Sequence, residues 1–464
     1  ASKDDQSADI LTEAESSEPD ADQIIRDRYR DTDYGGYEFT VAGYEPGGFF
    51  YNKIGQSANE IWYEEQTGDI YEDAVYKRNI MTEELLNIKI KPLYISDYES
   101  AVKKIVAAGD DTIDVGLGPL AYQMNLAASG YLANLRNLNS VELDQPWFDQ
   151  AIIKNYSYKG RQLYALTGAG NIFDDYAVPV IFYGRDILTQ YGLDDPADLV
   201  PDGKWTMETM MTMGETVTSD IDGDGKMTNS DSYGFLDNGG QMIHLMEATG
   251  FTMTSVGDDG IPYINCFKPG YVEAAEYIYN RIIQSPSMWT GNNGTAIGIL
   301  KENRALFYYE LLGCINELRD MESSFSLLPC PKLNEQQETY VSAVNSVWCT
   351  SFSIPVSSSD PERSGTVLNT LNAFSVNTVN SVLYELLLGA KLVREEKTQV
   401  MLDYILNNKK YCWGNGYSWS SSISNLLNNQ FSAKSFVMVS KIEAQSEKMQ
   451  KSLDKFLEKF DELG

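Results

Sequence analysis

Between residues 37 and 132 the chain repeats one pattern: a short apolar run, then a segment of helical periodicity. Residues 37–44 read as a buried first strand that ends in a Gly-containing loop, Gly43-Tyr44-Glu45. Residues 72–86 carry helical spacing, 87–93 read as a second strand, and Asp97 is placed to cap a helix running to Ala107. Residues 113–117 form a third short strand, and Gly130 is placed to close the helix after it. Strands alternating with helices at this spacing predict a parallel α/β sheet. Ligands of such sheets sit beyond the carboxyl ends of the strands, which here means Tyr44, Glu45 and the loop from Gly118 to Tyr122.

The pattern then loosens. Residues 160–166 and 177–183 read as two further strands, with a first crossing to a second lobe between them. Thr206 is placed to cap a helix. Residues 305–310 read as a strand ending in an aromatic, acidic turn. Residues 347–354 are another apolar run, and 441–463 an amphipathic helix rich in Lys and Glu, read as a solvated surface helix packed on one face.

The sharpest chemical signal is residues 220–231. Asp220, Asp222, Asp224 and Asp231 occupy positions 1, 3, 5 and 12 of a twelve-residue loop, with Gly225 at position 6. Calcium takes six to eight hard oxygen ligands, and this spacing wraps them around one point, with a backbone carbonyl from Lys226. Asp231 departs from the EF-hand pattern, where Glu is usual, and the segment resembles dockerin-type loops. The expectation is structural Ca2+ that braces the junction, against the alternative of a solvated acidic turn.

Net charge of −31 argues against nucleic acid and anionic surfaces as partners and favours a neutral ligand. The thirty Tyr and seven Trp provide rings with an apolar face and a polar edge, which suit sugars. Five Cys without a CxxC pair read as buried thiols. The single His, His244, leaves no material for a multi-histidine zinc site or a plausible Ser-His-Asp triad, and it reads as structural. No run approaches the ~18 consecutive apolar residues of a membrane helix. Residues 1–36, acidic and Ser-rich, read as a disordered linker holding a folded module away from an anchor.

Five segments in order carry a resemblance: residues 73–79, residues 129–135, residues 160–166 with 180–183, the acidic loop with Tyr233-Gly234-Phe235, and residues 328–332 followed by the C-terminal helix. Together they resemble the extracellular solute-binding proteins of bacterial ABC importers, of the carbohydrate type that includes maltose-binding protein. The resemblance implies a two-lobed, periplasmic-binding-protein-like (type II) α/β fold with a ligand cleft at a hinge of three crossings. The lobes fall at 37–168 plus 346–395 and at 169–345 plus 396–464. It also implies a monomer without turnover that delivers a carbohydrate to permease subunits. The leader fits a lipid-anchored extracellular protein of a Gram-positive bacterium. The family's ligand contacts, carried over, fall on Tyr44, Glu45, Gly118 and Tyr122, then on Asn238, Gln241, Tyr309, Glu310, Trp413 and Trp419. Asn171 and Trp348 lie at crossings and are candidates to line the cleft. Where the maltose-binding pattern has Trp and charged residues in the third-strand loop, this chain has Gly118 and Tyr122, which argues against maltose itself. Trp62, Trp147 and Trp205 read as packing residues. The alternatives are a binding protein for peptides or another small solute, and a calcium-dependent glycoside hydrolase or lyase.

Overall fold

The computed structural model describes residues 20–46, 59–239, 242–387, 396–416, 421–433 and 435–464. Strands β1 (Tyr37–Tyr44), β2 (Ile88–Ile95) and β3 (Val115–Pro119) are parallel, with β1 in the middle. They alternate with helices Ile70–Leu86 and Tyr98–Ala107, as the periodicity predicts. The chain then enters a second sheet made of β4 (Pro179–Gly184), β5 (Tyr233–Asp237), β6 (Met288–Thr290), β7 (Ala305–Leu311) and β8 (Phe325–Pro329), in the order β8-β4-β7-β5-β6. It returns as β9 (Thr350–Ser353), which pairs antiparallel with β3 and completes the first sheet. Helix Pro361–Val376 packs on helix Ile70–Leu86, whereas helix Glu396–Leu406 packs on β8, so the described elements change sheet three times along the chain. Each sheet with its helices is a lobe.

The β strands of the second sheet are buried almost throughout. All residues of β4, β5, β7 and β8 are buried, so these segments read as largely apolar runs without alternation, broken by Asp237, Glu310 and Ser326. Trp205 anchors the sheet: its ring meets Phe307 at 5.3 Å and its Nε1–H donates to the Pro329 carbonyl. Thr206 caps helix Met207–Val217 as expected, accepting from the Thr209 amide. Gly214 of this helix meets Gly234 of β5 backbone to backbone, and a Cβ on Gly234 would lie 2.5 Å from Gly214 atoms.

Three expectations need correction. Helix Ala21–Tyr29 occupies part of the segment read as a disordered linker. Its Ile25 is fully buried, and Arg26 lies over the Phe374 ring at 4.8 Å. The acidic average over 36 residues concealed one apolar face that docks on helix Pro361–Val376. Residues 160–166 are not a strand but make isolated bridges, Tyr158 with Gln162 and Leu166 with Phe352, because Gly160 turns the chain at φ +67°. Asp97 precedes helix Tyr98–Ala107, yet its side chain makes no capping bond. The C-terminal helix, Met438–Leu463, packs on one face as expected, burying Leu453, Phe456 and Phe460. The five Cys are free and buried. Among the described residues no helix is long and apolar enough to cross a membrane.

Candidate functional site

The carboxyl ends of β1, β3, β5 and β7 converge on the chain passages between the lobes. Leu120 and Ala121, directly after β3, donate amides to the Cys349 and Ser346 carbonyls. Asn345 donates its amide to Ala177, and the Leu312 amide, directly after β7, donates to Val178. Residues 172–178 and 345–349 therefore form a floor shared by both lobes.

On the first lobe, Tyr44 is half-buried and its ring stacks on Tyr98 at 5.9 Å. Burial, then the neighbouring Tyr122 hydroxyl, push its pKa up. Glu45 is exposed beside it, and Tyr122 is half-buried on the helix after β3. Beside them lies the segment 59–63, which the sequence did not single out. Asn59 organises it: its backbone amide donates to the Tyr63 hydroxyl, and its Nδ2 donates to the Trp62 carbonyl and the Tyr94 hydroxyl. Arg78 and Asn79 hold the same segment from below, donating to the Glu60 and Ile61 carbonyls. The result is a rim of partly accessible rings, Tyr44, Trp62, Tyr63, Tyr94 and Tyr122. The one available signal was their clustering near strand ends.

Glu60, buried at 1 % exposure, accepts from the Ile172 and Phe173 amides and so fixes the first passage to this rim. Burial raises its pKa to about 7.

On the second lobe, Glu310 is the central group. It accepts from Asn238 Nδ2, from the Tyr308 hydroxyl at 3.2 Å and from the Leu311 amide at 2.8 Å. It is 5 % exposed, and burial, with the nearby Asp237 and Glu317 charges, raises its pKa to about 7. Asp237, at the end of β5, accepts from the Gly239 amide and the Thr290 hydroxyl. Asn293 links Tyr308 to Glu317.

The other proposed ligand residues divide. Asn238 and Glu310 are brought together, and Trp348 is half-buried on the shared floor. Tyr309 is fully buried in the core, because alternate residues of a strand point to opposite faces and Glu310 takes the other one. Trp413 is 1 % exposed and packs in the core: it stacks on Tyr156 at 5.4 Å and meets Phe460 at 5.6 Å. It opens a short helix, Trp413–Gly416, whose Gly414 abuts Met253. Asn171 is buried and bonded to the Thr350 carbonyl and the Gly168 amide, which makes it a fastener of the passages. Gly118 is also a packing residue, since a Cβ there would meet the Tyr98 ring at 2.4 Å. Gln241 and Trp419 lie outside the described residues. His244 is buried and bonded to Asn345 and Glu247.

Apart from this site, Asp220, Asp222 and Asp224 bring carboxylate oxygens within 4.8 Å of one another. Asp220 also accepts from the Gly223 and Gly225 amides. Both oxygens of Asp231 accept backbone amides, Ile221 at 2.9 Å and Thr228 at 2.7 Å. Lys226 is exposed.

The passages are also joined by a buried charge cluster. Lys409 Nζ lies 2.8 Å from Asp149, 3.1 Å from Asp174 and 2.6 Å from Asp175. Asp149 belongs to the first lobe, Asp174 and Asp175 to the first passage, and Lys409 follows the third.

No family model and no curated protein sequence matches the chain. Solved structures do. UgpB from Mycobacterium tuberculosis in complex with glycerophosphocholine aligns with TM-score 0.59 at 17% identity, covering 91% of this chain and 99% of its own. The ABC substrate-binding protein Lmo0181 from Listeria monocytogenes in complex with cycloalternan aligns with TM-score 0.57 at 11% identity, covering 90% and 99%. The maltose/maltodextrin-binding domain MalE from Bdellovibrio bacteriovorus bound to maltotriose aligns with TM-score 0.51 at 13% identity, covering 92% and 99%. The chain thus has the two-lobed, periplasmic-binding-protein-like fold of these substrate-binding proteins.

Proposed function

We propose that the chain is the substrate-binding component of an ABC importer that captures an oligosaccharide or another sugar outside the cell and hands it to a membrane permease. The observation that carries this reading is the pairing, at the strand ends of the two lobes, of an aromatic rim with the hydrogen-bonding carboxyl group of Glu310. Rings stack on the C–H face of a sugar, and carboxylates accept from its hydroxyls. Ligand that contacts both lobes favours the closed state by its differential affinity for it. The reading assigns no turnover, a monomer, and an acidic leader running to a lipid anchor. A thermal-shift panel of oligosaccharides tests it. Binding at a hundredfold excess over Kd stabilises by about 2.7 kcal/mol. A panel without any shift removes the sugar reading. A shift with peptides alone moves the function to another solute, and release of reducing ends would make the protein a hydrolase.

We further propose that residues 220–231 bind structural Ca2+ through Asp220, Asp222, Asp224 and the Lys226 carbonyl, with Asp231 supporting the loop. The support is the convergence of three carboxylates on one point.

A further inference from the structure

A concavity outside the Glu310 cluster and the aromatic rim shares no residue with either, and Trp413 contributes to its lining. It has a volume of about 820 Å³ and lies between helix Gln150–Tyr156 and the hairpin formed by Thr254–Val256 and Pro262–Ile264. The Lys159 amide donates to the Gly260 carbonyl, so the two walls are joined at one edge. A cavity of this size accommodates a small-molecule ligand.

Its charge reverses that of the chain. The sequence holds 67 acidic residues against 36 basic ones. Yet Arg136, Lys154, Lys159 and Lys410 all line this cavity, facing only Asp258 and Asp259. Lys159 is committed to Asp461, and Asp259 to the Ile261 amide. Arg136 donates to the Ser157 hydroxyl at 2.7 Å. Among the described residues, none of Arg136, Lys154 and Lys410 has a carboxylate within ion-pair distance. Arg136 is exposed, and its partial burial lowers its pKa. In so acidic a chain, three cations without a carboxylate partner on one concave surface make a local positive field that attracts an anion.

We propose that this cavity is a second binding site, one that takes a small molecule through a phosphate or carboxylate group. Arg136 offers a planar fork for two of the oxygens, and Lys154 and Lys410 supply point charges. Bound anion would also clamp the turn of the hairpin onto the helix Gln150–Tyr156. The inference does not rest on the sugar reading.

Calorimetric titration of the full chain with inorganic phosphate, and separately with citrate, tests it at an ionic strength held constant with sodium chloride. The expected result is saturable binding of at least one anion, weakened tenfold or more in the double variant Lys154→Gln/Lys410→Gln. Binding retained in Lys154→Arg would support a role for charge rather than for shape, and Lys89→Gln on β2 should leave affinity unchanged. Melting temperatures establish that each variant is folded. Phosphate binding alone would identify the recognised group as phosphate, and citrate binding alone as carboxylate. Either of two results overturns the proposal: neither anion binds saturably, or the double variant binds as tightly as the parent.

Discussion

Glu310 shows at the scale of one residue how the site conflicts with stability. Its carboxyl group titrates near pH 7 in the folded chain, against an ordinary value of 4.5, because burial penalises the charged form. The folded state therefore holds the proton more tightly than the unfolded state. The penalty is absent below pH 4.5 and present in full above about pH 7, so this group's contribution to stability falls as pH rises across that window. Glu310→Gln cannot ionise, and it keeps one acceptor oxygen, enough for either Tyr308 or Leu311, which donate to different oxygens of Glu310. Thermal unfolding should show the variant more stable than the parent at pH 8, by roughly 1–3 kcal/mol, with no such gain at pH 4.5. An equal loss at both values would show that the carboxylate is not the strained form. The family resemblance pointed to Glu310 and Asn238, but nothing in the sequence showed the burial of Tyr309, Trp413 and Asn171. Period-two geometry decides which neighbour on a strand faces a site, and sequence does not locate the last accessible residue. Trp62 was passed over for the opposite reason: its accessibility comes from Arg78 and Asn79 propping residues 59–63 from another element.

Elements of the first lobe were legible because strand and helix periods alternate cleanly from Tyr37 to Leu132. Those of the second were less so, since strands buried on both faces lose alternation, and residues 160–166 imitate one of them. The helix Ala21–Tyr29 was hidden because its docking face is only a few residues wide. Two tests belong at this scale. Gly234→Ala would force its methyl into Gly214 and lift helix Met207–Val217 from β5, at a cost of roughly 1–3 kcal/mol; urea unfolding reads it directly. If the variant is as stable as the parent, the close contact between helix and strand is wrong. The loop 220–231 should lower the melting temperature when calcium is removed by chelator and restore it when calcium is returned, while magnesium restores less. No change with EDTA would make the loop a solvated acidic turn.

Across the whole molecule the two lobes meet through passages whose conformation must accommodate any closure. Lys409 holds Asp149, Asp174 and Asp175 together there, and the cluster keeps two more acids than bases. Burial raises the pKa of Asp174, whereas Lys409 outweighs burial at Asp149 and lowers its pKa. Replacing Lys409 with Met leaves three buried carboxyl groups without their cation. The expected loss is about 3–5 kcal/mol near neutral pH. It should shrink toward pH 4, where the carboxyl groups are protonated, and denaturant titration at the two pH values would show this. A loss independent of pH would mean that Lys409 acts only through packing.

The most direct measurement is calorimetric titration of an oligosaccharide drawn from the thermal-shift panel into the parent chain, Tyr122→Ala and Glu310→Gln. Tyr122 stands on the first lobe and Glu310 on the second. If ligand is captured between the lobes, each substitution weakens binding tenfold or more while the protein stays folded. Binding that neither substitution alters, or a panel in which no sugar binds, would contradict the proposed role.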